Sequence, residues 1–198
     1  MKYLITTIII SIVLIFASCE NTSGPSKITE NKQDSEQIYI TKGQQIAGST
    51  FGTLGGNLQK AMKEGGVANA VKYCNLSASP LVDSLEHLHQ AKIKRTSLKT
   101  RNLNNAPSKR ELKQLEAYAK QVEQGMTLQP VIEELENNQI AFYAPIHVAP
   151  LCQKCHGEVG NKLLESDYAL IQNLYPNDKA VGYVAGDLRG IWSITMPK

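Results

Sequence analysis

Several things are scarce in these 198 residues, and each scarcity removes a class of function. No basic tract is present: 21 Lys and Arg face 18 Asp and Glu, for a net charge of +3. Without a clustered positive stripe the chain has no electrostatic footprint for nucleic acid. There is no internal repeat and no second linker, so a solenoid or a two-domain arrangement is not expected. The longest apolar run, Tyr3 to Ala17, is short for a comfortable bilayer span. Cysteine and histidine number only four each. One Cys-x-x-Cys pair stands alone, where structural zinc usually needs a second pair or further ligands. No βαβ pattern precedes it, as a thioredoxin-type redox pair would require.

What is present begins with an address. Lys2 and the apolar run lead into Phe16-Ala17-Ser18-Cys19, small residues directly before a cysteine. This resembles a bacterial lipobox, although phenylalanine stands where leucine is commoner. Residues 1–18 are therefore expected to be a lipoprotein signal peptide, with Cys19 carrying the lipid. Residues 19–37, rich in Ser, Asn, Thr, Lys and Glu, read as a flexible tether. Residues 38–198 read as one domain of unremarkable globular composition, 42% hydrophobic and 20% charged. The expected place is the extracytoplasmic face of the cell envelope. An oxidising compartment would turn four cysteines into two disulfides; lipidation of Cys19 leaves three and breaks that arithmetic.

Periodicity predicts helices first and strands later, hence an α+β fold. Apolar residues from Ile38 to Met62 recur at helical spacing until Gly65-Gly66 stops them. Val67, Ala70, Val71 and Cys74 share the face of a short helix. Ser79 with Pro80 is expected to open the next, running to about His89. Lys92 to Leu98 is extended, and Ser108 to Glu111 spells a capping box. Asn137-Asn138 suggests a hairpin between Val131–Leu135 and Ile140–Ile146. Lys162 to Leu174 reads as helix, and a closing hairpin is expected between Gly182–Ala185 and Leu188–Met196.

Cys152-Gln-Lys-Cys155-His156 is the most informative stretch. Two thiols one helical turn apart suit addition across the two vinyl groups of haem, and the adjacent histidine is carried to the iron. The reading is one covalent haem c on Cys152 and Cys155 with His156 as an axial iron ligand. For the other axial position Cys74, His87, His89, His147, Met62, Met126 and Met196 all remain open. The methionines are ordinarily core filler, His87 and His89 sit on a polar helix end, and Cys74 is equally readable as a small buried hydrophobe.

Further stretches join the haem motif. They are Gly65 to Asn75, Lys94 to Asn102, Tyr143 to Ile146, Cys152 to Gly157, and Tyr175 to Tyr183 running into Gly186–Gly190. Together they resemble a family of bacterial and cyanobacterial c-type haem domains, formerly called a domain of unknown function. Leu103 departs from its pattern, which commonly has proline after Arg-Asn. The resemblance implies a PAS-like antiparallel sheet flanked by helices and preceded by N-terminal helices. It also implies an axial pair of His156 and an upstream cysteine, which here is Cys74. Arg95, Arg101 and Arg189 carry two readings, haem-propionate contact or loop bracing.

A thiolate ligand lowers a haem's reduction potential, and its release would open an iron position. The expected function is therefore a redox or gas sensor, with a low-potential electron-transfer cytochrome as the rival. No enzyme activity is expected; His147 is the sole hint of a distal base. Expected partners are the membrane, through the lipid, and a redox or signalling protein.

Overall fold

The computed structural model describes residues 26–198; the expected signal peptide and Cys19 lie outside them. Helix α1 runs Ser26–Leu76 with a break at Gly65–Gly66. Residues 26–37, expected as tether, are thus helical. Their composition supports it: past Pro25 no proline interrupts, and Lys32–Glu36 forms an i,i+4 pair at 4.0 Å. At the break Gly66 takes φ 64°, ψ −157°, a region open essentially to glycine alone. Asn69 Nδ2 donates back to Ala61 O at 3.0 Å, tying the two arms across it.

Helix α2, Ala78–His89, follows almost without interruption. Its cap is Ser77 rather than Ser79, so Pro80 is the third helical residue. Nothing is lost there, because the first N–H groups of a helix have no internal acceptor. Strand β1 (Lys92–Thr96) and a 3₁₀ turn (Leu103–Asn105) lead to α3, Lys109–Glu123. The capping box forms as the sequence indicates, with Ser108 Oγ accepting from Glu111 N and the Glu111 carboxylate accepting from Ser108 N at 2.7 Å. Strands β2 (Val131–Leu135) and β3 (Gln139–His147) make the expected hairpin. Asn137 and Asn138, at φ 62° and 57°, take the positive values that asparagine tolerates in the three-residue loop 136–138. The short helix α4 (Gln153–His156), α5 (Glu165–Leu174) and β4 (Leu188–Pro197) complete the chain.

The sheet order is β1-β4-β3-β2, antiparallel throughout. With helices on both its faces the fold is α+β, as expected. Alternation along β3 and β4 sorts side chains to two faces. Ile140, Phe142, Trp192, Ile194 and Met196 pack under α1 and α2, while Ala141, Tyr143 and Ile191 pack against Leu115 and Tyr118 of α3. Gly43 lets α1 approach so closely that a side chain there would overlap the Phe142 ring. A third cluster, Val67, Val71, Leu163, Ile171 and Tyr175, joins the second arm of α1 to α5 and includes Cys155 at its edge.

The expected strand at 182–185 does not form. Its backbone is spent elsewhere: Gly182 N donates to Gly157 O and Tyr183 N to His156 O, both at 2.9 Å, and β4 pairs instead with β1 and β3. Among the described residues no helix is long and apolar enough to cross a membrane.

Candidate haem site

The haem motif opens with a 3₁₀ turn at Pro150–Cys152 and continues directly into α4. Cys152 has helical φ/ψ (−64°, −26°), so Cys152 and Cys155 are i,i+3 neighbours on one side of a turn. Both are partly exposed, and both are free thiols. Burial pushes the Cys155 thiol up to about 11, against the pull of Arg101 and with an added push from Cys74. His156 ends the helix. Its Nδ1 lies 2.7 Å from Ala180 O, and a carbonyl only accepts, so Nδ1 carries the proton and Nε2 keeps its lone pair. Burial first, then Arg101 and Arg189, hold the imidazole pKa well below its ordinary value. The ring is neutral, oriented, and free to ligate at Nε2.

Three loops lock around this helix. Lys179 N donates to Thr100 O at 3.0 Å, and Arg189 Nη1 donates to Lys99 O at 3.1 Å. Arg101 Nη2 reaches Cys155 O at 2.6 Å, Ala180 O at 3.3 Å and Asp178 Oδ2 at 3.0 Å. Tyr183 stands edge-on to His156, with ring centroids 6.4 Å apart, and Lys99 and Arg189 lie over its ring.

Cys74 comes to the same cluster on the second arm of α1. Accessible surface remains on this residue, yet neighbours crowd its sulfur enough for partial desolvation to raise the pKa, while Arg95 and then Arg101 pull it down. Of the other candidates, Met62 shares the third cluster with Cys155. Met196 is fully buried under α1 and α2, and Met126 is exposed beyond α3. His89 Nε2 meets Ser49 Oγ at 3.3 Å, His147 Nδ1 donates to Gly186 O at 3.0 Å, and His87 is exposed in the last turn of α2. Arg101 braces backbone carbonyls, Arg189 a carbonyl and Tyr183, and Arg95 lies over Trp192 at 5.8 Å.

A haem would find what it needs here: paired thiols, a neutral histidine with a fixed tautomer, and buried donors lacking protein acceptors. Tyr73 Oη and Arg101 Nε are such donors, and buried donors of this kind ordinarily have partners. Among the described residues no group of three or more His, Cys, Asp or Glu side chains is assembled to cage a metal ion. Sequence reasoning had no access to Asp178, the Ala180 carbonyl or Tyr183 as parts of the site. The pairs 101–178 and 156–180 are joined only by folding, and no local spacing signals them.

Comparison with known proteins decides the family. The Tll0287-like family matches residues 20–197, nearly the whole chain. The chain belongs to the Tll0287-like family. Among solved structures, this Tll0287-like chain is similar to the cyanobacterial heme-protein Tll0287, with a TM-score of 0.55 and 20% identity over 89% of this chain and 98% of that one. At that identity the likeness shows the fold. No curated protein sequence matches this Tll0287-like chain.

Proposed function

We propose that the chain is a mono-haem c protein that senses redox state or a diatomic gas at the cell envelope. The thiols of Cys152 and Cys155 would hold the haem, with His156 Nε2 and Cys74 Sγ as the protein ligands to iron. Kinship with a haem protein supports the cofactor; the thiol pair and the oriented imidazole support its covalent form. When bound, haem supplies an iron that changes oxidation state and exchanges axial ligands.

The observation that carries the sensor reading is an asymmetry between the two ligand residues. His156 is clamped by Ala180 O and by the backbone bonds of Gly157 and Tyr183. Cys74 sits on a short arm beyond the Gly65–Gly66 break. One ligand is fixed and the other rides on an arm set off by a glycine break. Release of Cys74 would couple iron chemistry to the position of an α-helical arm, as a conformational switch requires. Lipid attachment at Cys19 would hold the domain at the membrane, and the signal would pass to a redox or signalling protein. A low-potential electron carrier is the second reading, favoured by the exposed Leu151 and Val184 flanking the haem motif, a rim on which a partner would dock.

The test is to express the full chain with a c-type maturation system and compare it with Cys74→Ala. The sensor reading expects a c-type pyridine haemochrome, a ferric low-spin thiolate EPR signal lost in Cys74→Ala, and CO binding by the ferrous protein. A colourless protein overturns the cofactor. Haem with no CO binding by the ferrous protein leaves the carrier. Membrane-fraction labelling by palmitate, abolished by Cys19→Ser, checks the anchor.

A further inference from the structure

Arg101 and Asp178 form an ion pair beside the haem motif in which Arg101 is 13% exposed and Asp178 fully buried. A pair so desolvated is poor evidence of a stability device, since the cost of burying both charges offsets most of the attraction. What distinguishes this pair is its second set of contacts. Arg101 Nη2 donates to Cys155 O and to Ala180 O, and Asp178 Oδ1 accepts from Ala180 N at 2.8 Å. Ala180 O is also the acceptor for His156 Nδ1. One carbonyl therefore serves the guanidinium and the imidazole together.

We propose that Arg101, balanced by Asp178, is a positioning residue that sets how strongly His156 donates to iron and so sets the reduction potential. The inference rests on the haem reading above and deepens it. A histidine ligand becomes a stronger donor as the acceptor of its other N–H pulls harder on the proton. A carbonyl already bonded to a guanidinium pulls less, so Arg101 weakens the donation. Its positive charge also favours the ferrous state over the ferric. Both effects raise the potential. Asp178 opposes them by drawing the guanidinium's charge towards itself.

Two partners of one pair thus act with opposite sign, which a purely structural brace would not do. Arg101→Gln keeps an N–H donor but loses the charge, and Asp178→Asn keeps the acceptor for Ala180 N but loses its charge. Spectroelectrochemical titration of the haem-loaded full chain should show Arg101→Gln shifting the equilibrium about tenfold towards ferric, or 59 mV for one electron. Asp178→Asn should shift it towards ferrous, and Arg101→Lys should stay within about threefold of wild type. Because Arg101 also faces Cys74, the Arg101→Gln and Asp178→Asn variants are repeated in Cys74→Ala, where the opposed signs should persist. Shifts of the same sign, or none in variants that retain full haem content, overturn the inference and leave the haem reading intact. A wild-type chain without haem overturns both.

Discussion

Glu111 is buried in the cap of α3, and its carboxylate takes hydrogen bonds from Lys94 Nζ at 2.8 Å and from Ser108 N at 2.7 Å. Burial alone would push its pKa up. The bonds from Lys94, Ser108 and Ser193 outweigh that and hold it below the ordinary 4.5. A carboxyl whose folded pKa is depressed contributes stability above its unfolded pKa and loses it as pH falls through the folded one. Stability should therefore decline on acidification below about pH 4.5, with Glu111 contributing to the slope. Glu111→Gln should cost about 1–3 kcal/mol at neutral pH, because Lys94 and Ser108 N lose a charged acceptor. It should also flatten the acid limb. Urea unfolding across a pH series reads both; an unchanged acid limb would place the pH dependence elsewhere.

At the scale of elements, Gly66 decides where the arm bearing Cys74 points. Its φ of 64° with ψ −157° is costly for any residue with a Cβ, by about 1–3 kcal/mol. Open space surrounds the position, so Gly66→Ala meets a backbone penalty and no clash. We expect a lower Tm and a perturbed thiolate EPR signal in the haem-loaded form; wild-type values for both would mean the break has another origin. The features legible in the sequence are the ones decided within a few residues. Ser108 with Glu111, Asn137-Asn138 and Gly65-Gly66 each fix a local geometry, and each appears where the pattern places it. The differences arise where distant segments compete or where a polar stretch carries helical charge spacing. Gly182–Ala185 has strand composition, but its N–H groups serve His156 and Gly157. The stretch 26–37 is polar enough to pass for tether, yet it has Lys and Glu at helical spacing. The thiol pair and His156 stand out in the sequence because covalent haem attachment would need them adjacent, whereas Arg101, Asp178 and Ala180 meet only in three dimensions.

The whole molecule divides by its packing. Strands β3 and β4 send alternate residues into two apolar clusters, so the sheet is buried on both faces independently of the haem motif. The third cluster draws on Val67 and Val71, on Cys155 and Val159, and on Leu163, Ile171 and Tyr175. A haem held through Cys152 and Cys155 would add its stabilisation to that third cluster first, since a group bound only to the folded form stabilises whatever must be intact to bind it. Regions of one protein open with different free energies, so losing the haem should not lower them all alike. In a Cys152→Ser/Cys155→Ser double variant, amides of β3 and β4 should keep their protection from hydrogen exchange. Amides of α5, of 153–163 and of 67–76 should exchange at least about tenfold faster, equivalent to 1.4 kcal/mol. Equal losses in the sheet and around the haem motif would show a single cooperative unit, and the Cys74 arm would then be no freer to move than the sheet itself.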